Sequence, residues 1–211
     1  MGVLTRTLMK AEVARIIDRT DFSETDGAID LRLSWAYERV AESKYWKVLQ
    51  VEDSTNTTLV TSTQDYSIPT TLRTVEYVTM VDESGSTNVF HRLNPEVLED
   101  YYEKGRLLQD TDGTPIIWTL LGNSIRLFPV PSSTQSGFKL YIIGKKKISY
   151  FTSDSDTTDL DQKLDRAIIY KAAAICFNDL LEEGQEAQRY EKIYQDTVDE
   201  AYADELAYSQ L

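Results

Sequence analysis

The sequence is poor in the residues that carry most enzyme and metal chemistry. Its 211 residues include one histidine, His91, and one cysteine, Cys176. A zinc site of the usual Cys/His type cannot be assembled from one chain with this inventory, and no Ser-His-Asp or Cys-His nucleophile is marked. We therefore predict no metal site, no cofactor and no catalytic residue. We expect His91 to be a surface or subunit-contact residue and Cys176 to be a buried thiol.

Long hydrophobic runs are also absent. None approaches the roughly 20 apolar residues that a membrane span needs, and the N-terminus lacks the apolar core and cleavage site of a signal peptide. The phosphate-binding patterns G-x-x-x-x-G-K and G-x-G-x-x-G do not occur. These absences favour a soluble, non-exported protein that makes no membrane contact and does not hydrolyse nucleotides.

Positive charge is scarce relative to negative charge. The chain has 22 Lys and Arg against 35 Asp and Glu, a net charge of −13, which disfavours binding nucleic acid by neutralising its phosphates. The acids either keep the surface soluble or line a passage through which a polyanion slides without sticking. The only basic run, Lys145 to Lys147, is expected just past a strand.

Helical patterns occupy the N-terminal part of the chain. Apolar residues at helical spacing predict a first helix from Thr7 to Arg19 and a second from Glu24 to Ser43, with Ser23 as its N-cap. Together they predict a helical hairpin.

The C-terminal part is predicted to contain two further helices. A solvated linker, Ser153 to Asp159, precedes a helix capped by Asp159 or Asp161, and Gly184 separates this helix from a final one. Apolar and aromatic side chains persist to the end of an acidic tail. This tail either docks on a partner or continues the helix onto its own core.

Strand and turn residues fill the middle of the chain. Strands at Ile116–Leu121 and Ile125–Phe128, joined at Gly122-Asn123, predict a hairpin, and Phe138–Ile143 is predicted to add a third strand of a meander. Pro129 and Pro131 are expected to end the strand pairing, because proline has no N–H to donate.

The first half of this middle region is predicted to hold two more strands, Leu72–Val81 and Val89–Leu93, on either side of a turn. Asn94 and Pro95 have the residue types of a helix start, which predicts a short helix to Lys104. The sequence thus predicts helices, then strands, then helices along the chain, which is an α+β fold.

One cluster of acids leaves an enzymatic alternative open. Glu96, Glu99 and Asp100 fall on the predicted short helix, and paired carboxylates serve glycosidases. With 35 acids in the chain, such clusters arise without function, so we predict that the protein is not an enzyme. The alternatives are a cell-wall glycan hydrolase and a monomeric module that binds a glycan or peptide.

The order of these parts resembles the head-to-tail adaptor, or connector, proteins of tailed bacteriophages, also called tail accessory factors or tail tubular proteins. Most of the chain takes part in the resemblance. It is carried by two N-terminal helices ending at Trp46, the approach Tyr66-Ser67-Ile68-Pro69 to a strand, Gly113-Thr114-Pro115 leading to Gly122, the run Phe128-Pro129-Val130-Pro131, and a C-terminal helix pair with Tyr190 and Tyr194.

The resemblance implies an antiparallel helical bundle formed by N- and C-terminal helix pairs with an inserted antiparallel β-rich domain. On this basis the chain is divided into residues 1–46, the N-terminal helical hairpin; 47–150, the inserted β domain with one short helix; 151–201, the C-terminal helix pair; and 202–211, a C-terminal docking tail.

The resemblance also implies a structural role in the virion. Such adaptors form a twelve-fold ring between the portal and the tail nozzle or tube, in the phage neck, after assembly in the host bacterial cytoplasm. Double-stranded DNA passes through the ring during packaging and ejection without sequence-specific binding. The implied portal-docking residues are Tyr202, Leu206, Tyr208 and Leu211, and the implied tail-facing loops contain Asp82, Ser84, Asn88, Leu107 and Asp110.

An acidic inner wall would repel DNA phosphates and lower friction in such a ring. We expect Glu182, Glu183 and Glu186 to line this channel. The 13 tyrosines suit subunit contacts, because a tyrosine offers a large flat area with a polar tip.

Overall fold

The computed structural model describes residues 3–18, 27–53, 58–83, 89–97, 99–100 and 113–208. Over these residues it has four named helices and two sheets, so the predicted α+β class is confirmed. The chain divides into two compact units: a helical unit of residues 1–49 and 148–211, and a β unit of residues 50–147.

The helical unit takes its helices from both ends of the chain. They are α1 (Arg6–Ile16), α2 (Ala28–Ser43), α3 (Lys163–Asp179) and α4 (Gly184–Tyr208), with a 3-10 turn at Lys47–Leu49.

The helix starts differ in how their free backbone N–H groups are capped. Thr5 caps α1 by accepting a hydrogen bond from the Leu8 N–H. The N-cap of α2 is Gly27, whose φ of 69° suits a residue without a Cβ. The prediction of Ser23 as this cap is therefore wrong. At α3 the Asp161 carboxylate accepts from the Lys163 N–H at 3.0 Å.

One hydrophobic core unites the four helices. α3 packs against α1, α2 and α4, so its alanine-rich sequence is buried on several sides. Trp46 is buried in the same core, where its indole N–H donates to the Val40 carbonyl oxygen at 2.8 Å. Core residues from the two chain ends include Met9, Val13, Leu33, Tyr37, Val40, Leu164, Ile168, Ala172, Tyr194 and Val198.

The predicted linker before α3 is exposed at Ser153 to Ser155, as expected of a solvated segment, but it forms an ordered loop with its own hydrogen bonds. The Asp156 carboxylate accepts hydrogen bonds from the backbone N–H groups of Thr152 and Ser153, at 2.7 and 2.8 Å. The Asp156 carbonyl oxygen accepts from the Arg6 N–H at 2.8 Å, which attaches the loop to the start of α1. Local acceptors of this kind cannot be told from solvated ones by composition.

The β unit contains two four-stranded sheets. Its strands are β1 (Gln50–Asp53), β2 (Asp65–Ser67), β3 (Leu72–Asp82), β4 (Val89–Arg92), β5 (Asn94–Pro95), β6 (Ile117–Leu121), β7 (Ser124–Phe128) and β8 (Lys139–Lys146). One sheet has the order β1-β8-β3-β4 and the other β2-β7-β6-β5.

The predicted hairpin is confirmed, but the predicted meander is wrong. β6 and β7 pair around Gly122, whose φ is 60°. β8 does not extend this sheet; it pairs with β1 and β3 in the other one. Pro129 and Pro131 offer no N–H to a neighbouring strand, and a 3-10 turn at Ser133–Gln135 follows them.

Two local predictions in the β unit also fail. Asn94 and Pro95 form strand β5, which pairs in parallel with β6 at the edge of the sheet, where a missing proline N–H costs no ladder bond. The predicted helix start at Pro95 is therefore wrong, and residues 101–104 lie outside the described residues. Lys145 and Lys146 lie inside β8, not past it.

The core of the β unit lies between residues of both sheets. Val78, Met80, Leu140 and Ile142 from the first sheet share a buried cluster with Trp118, Ile125 and Leu127 from the second. Burial alternates along β8, as expected for a strand with one covered face. β8 also passes close to β3 at Gly144. A Cβ added at this position would lie 1.8 Å from the Thr74 carbonyl oxygen.

Candidate functional site: assembly surfaces

The two side chains best able to do chemistry occupy ordinary structural positions. Cys176 is fully buried, as predicted, and burial raises the pKa of its thiol to about 11. His91 lies exposed on β4. Among the described residues, no group of three His, Cys, Asp or Glu side chains is placed to hold a metal ion.

The acids of the enzymatic alternative are not presented by one helix as predicted. Glu96 follows β5 and donates its N–H to the Trp118 carbonyl oxygen at 2.9 Å, whereas Glu99 and Asp100 lie beyond it. Glu96 is thereby attached to the edge of the second sheet.

A buried carboxylate that sequence reasoning missed holds the N-terminal segment. Asp165 on α3 is 1% exposed. Its Oδ2 accepts from the N–H groups of Val3 and Leu4 at 2.8 and 3.0 Å, and its Oδ1 accepts from the Thr158 hydroxyl at 3.0 Å. Val3 and Leu4 lie at the other end of the chain, so no local signal identifies the role of this residue.

The predicted portal-docking residues lie along the end of α4. Tyr202 is half-buried against the core of the helical unit, with its ring 5.7 Å from that of Trp46 and the Lys44 Nζ 5.5 Å from its centre. Leu206 is 45% exposed, and Tyr208 is the last residue of α4. The helix therefore continues to Tyr208, but of Tyr202 and Leu206 only Tyr202 packs on the core of the unit, and Leu211 lies outside the described residues.

Acids crowd the C-terminal half of α4, and no basic residue follows Lys192. This arrangement is unfavourable for an isolated helix, whose C-terminus carries partial negative charge. Asp199 is paired with Lys44 at 2.9 Å and Asp204 with Lys163 at 2.5 Å. The acids of this half are Asp196, Asp199, Glu200, Asp204 and Glu205.

Two cavities flank the Lys163–Asp204 ion pair. One, which we call the Val48 groove, has a volume of about 330 Å³. The Glu205 Oε1 accepts from the Lys47 N–H at 2.6 Å, whereas its Oε2 is buried and has no hydrogen-bond partner among the described residues. Residues lining the Val48 groove include Trp46, Val48, Asp161, Leu164, Ala201, Asp204 and Glu205.

The second cavity has a volume of about 510 Å³ and lies beside the N-terminal segment. Val3 and Leu4 line it together with Asp165, which holds that segment, and Arg166 and Glu200 contribute opposite charges. The two cavities share Lys163, Ala201 and Asp204 as lining residues.

The outer side of α2 presents an aromatic and basic surface, which we call the Trp35 face: Leu31, Arg32, Trp35 and Arg39. Leu31 and Trp35 are 47% and 44% exposed, and the Arg32 guanidinium lies 5.7 Å from the centre of the Trp35 ring. The Arg32 Nε is buried without a hydrogen-bond partner among the described residues. The sequence signal for this face is the pair Leu31 and Trp35, two large apolar residues that lie four positions apart and outside the buried stripe of α2.

The remaining predicted site residues are only partly described. Asp82 ends β3 opposite Val89, so it belongs to a strand and not to the predicted loop. Ser84, Asn88, Leu107 and Asp110 lie outside the described residues.

The predicted channel acids lie at the junction of α3 and α4. Glu182 and Glu183 are exposed, and Glu182 has a positive φ of 54°. Glu186 pairs with Arg189 at 3.3 Å. These positions make the carboxylates of Glu182 and Glu183 accessible to a partner or to solvent.

No helix within the described residues has the length and hydropathy to cross a membrane. No curated protein matches the chain.

A match to a known protein family covers nearly the whole chain. A family model described as SU10 adaptor protein matches residues 5–210, a span that includes both helical chain ends and the β unit between them. The predicted resemblance to phage adaptors is thereby confirmed. The chain belongs to the SU10 adaptor protein family, a family of phage head-to-tail adaptors.

Proposed function

We propose that this chain forms a twelve-fold ring between the portal and the tail nozzle or tube of a phage. The single observation that carries the proposal is the adaptor-family match over residues 5–210. Its partners are further copies of itself, the portal protein and the tail protein. Its place is the neck of the virion, after assembly in the host bacterial cytoplasm.

The four helices form an antiparallel bundle in this proposal, and residues 47–150 form the inserted β domain. Support comes from the shared core of α1, α2, α3 and α4, which joins residues from both chain ends. A bundle built this way would form a wall of the ring.

The end of α4 docks on the portal in this proposal. Leu206 supports this role because it is exposed on a helix whose Tyr202 is already packed on its own core. Tyr202 would then position the helix end, while Leu206, Tyr208 and Leu211 would contact the portal.

The channel and the tail-facing surface complete the proposal. Glu182, Glu183 and Glu186 line the channel, where repeated carboxylates repel the phosphates of passing DNA. The loops around Asp82, Ser84, Asn88, Leu107 and Asp110 face the tail. The role is structural and not enzymatic, and the elevated pKa of Cys176 agrees with this because a thiol is a poor nucleophile.

Removing the end of α4 tests the docking role. A variant that lacks residues 206–211 should bind the portal ring of the same phage at least about tenfold more weakly, because an exposed apolar anchor is lost. Binding is measured by sedimentation of the portal with the adaptor. A Val60→Ser variant, changed at an exposed residue of the β unit, serves as control and should bind normally. Equal binding by the truncated variant would refute the docking assignment.

A further inference from the structure

We infer that neighbouring copies in the ring join by placing the Trp35 face of one copy in the Val48 groove of the next. The inference rests on the proposed ring and names the contact that closes it. It concerns two surfaces of the helical unit that differ in shape and in charge.

The Trp35 face has the composition of an interface anchor. Trp35 and Leu31 stand one turn apart on α2, both nearly half exposed, with Arg32 against the indole ring. Tryptophan and arginine dominate the residues whose truncation weakens protein interfaces, and they act by filling pockets on the partner. Two acids, Glu38 and Glu42, lie on the same side of α2, and Glu38 accepts a hydrogen bond from the Tyr150 hydroxyl.

The Val48 groove offers a matching receptor. Val48, Leu164 and Ala201 supply apolar walls in a volume of about 330 Å³, and Val48 is 42% exposed. Asp161, Asp204 and Glu205 supply carboxylates around these walls, beside Lys47 and Lys163, and Lys163 is paired with Asp204. An indole ring requires an apolar wall, and the arginines beside it require carboxylates.

The accessible charges differ between the two surfaces. The groove is lined by the half of α4 that carries five acids and has no basic residue after Lys192. Arg39, beside Trp35, is exposed. Guanidinium groups pair well with carboxylates, so an acidic groove favours a partner surface that carries arginine.

A second copy of this chain is the occupant that fits. A head-to-tail contact needs two different complementary patches on each subunit, and such a contact closes into a ring when its rotation divides the circle. The Trp35 face and the Val48 groove are two such patches on one chain. A self-complementary contact would use the same patch twice and would stop at a dimer.

Substitutions on each surface test the contact. Trp35→Ala removes the anchor, and Val48→Arg fills the groove with a bulky cation that repels Arg32 and Arg39. Phe90→Ala, at a 66% exposed aromatic residue of β4, is the matched control. Circular dichroism and thermal melting of each variant establish that it folds.

The number of copies bound to a portal ring from the same phage is measured by light scattering across a concentration series. The wild type and Phe90→Ala should fill the ring cooperatively. Trp35→Ala and Val48→Arg should lose this cooperativity and bind at least about tenfold more weakly. Loss in both variants, with the control unchanged, supports the contact.

A crosslinking experiment keeps the test decisive if either variant misfolds. A Trp35→Cys, Val48→Cys double variant on the portal should form disulfides between copies under mild oxidation, giving a ladder of oligomers, since the native Cys176 is buried. A filled, cooperative ring in both surface variants, or no ladder, would overturn the contact while leaving the adaptor function intact. A wild-type chain that does not bind the portal would overturn the proposed function itself.

Discussion

Asp165 shows how one carboxylate can fix a chain end. It lies on α3, yet it accepts hydrogen bonds from Val3, Leu4 and Thr158. Both oxygens are used as acceptors, so one side chain holds donors from the N-terminal segment and from the loop before α3. The N-terminal segment is thereby held against α3, beside the cavity of about 510 Å³.

Removal of this carboxylate should destabilise the helical unit. In Asp165→Ala, the N–H groups of Val3 and Leu4 and the Thr158 hydroxyl lose their acceptor. We expect a loss of about 1–3 kcal/mol in the free energy of unfolding, measured by urea denaturation. Asp196→Ala, at an exposed residue of α4, should change it little. A stability of Asp165→Ala equal to that of wild type would contradict this account.

The loop carboxylate Asp156 should make stability depend on acid pH. Hydrogen bonds from the Thr152 and Ser153 backbone N–H groups lower its pKa below the reference value of 3.8. A lowered folded-state pKa gives stability that is present above the unfolded-state pKa and is lost as pH falls through the folded-state pKa.

Asp156→Asn should therefore be less stable than wild type at pH 7, and the difference should shrink as the pH falls below about 4. Denaturation midpoints at a series of pH values measure this difference. A gap between the two proteins that stays constant from pH 7 to pH 2 would show that the carboxylate charge has no part in holding the loop.

At the scale of elements, the sequence predicts what depends on neighbours along the chain. The periodic apolar residues of α1, α2, α3 and α4 and the β6–β7 hairpin are confirmed because their signals lie within a few residues of one another. The two surfaces of the proposed subunit contact were harder to predict from the sequence. The exposed Trp35 can be read from its position outside the buried stripe, whereas the Val48 groove depends on contacts between distant segments.

Strand partners were the main failure of sequence reasoning. β8 follows β7 along the chain but pairs with β3, some 60 residues earlier, and with β1. Nothing in the composition of β8 distinguishes these partners from β7. Asn94 and Pro95 failed for a related reason, because residues that suit a helix start also suit an edge strand when a neighbouring strand supplies the hydrogen bonds.

The close approach of β8 to β3 yields a prediction at this scale. In Gly144→Ala, the new Cβ would meet the Thr74 carbonyl oxygen at 1.8 Å, so one strand must move. We expect a destabilisation of about 1–3 kcal/mol from overpacking, measured by urea denaturation. Gly184→Ala is the control, since nothing lies within 4 Å of the Cβ it adds. Equal stability of both variants would mean that the strands can separate without cost.

The charge of the whole molecule is unevenly distributed. The helical unit carries 23 acidic and 13 basic residues, whereas the β unit carries 12 acidic and 9 basic residues. Most of the net charge of −13 therefore belongs to the unit that contains the Val48 groove, the proposed channel acids and the proposed docking end of α4. Solubility alone would not require this separation, whereas a DNA-repelling wall would.

The mass of the purified protein, alone and mixed with the portal ring of the same phage, tests the central claim most directly. Light scattering gives the mass, and negative-stain images of the same samples give the symmetry. The adaptor account predicts that the chain joins the portal as a closed ring of twelve copies. A chain that remains monomeric and leaves the mass of the portal unchanged would contradict it.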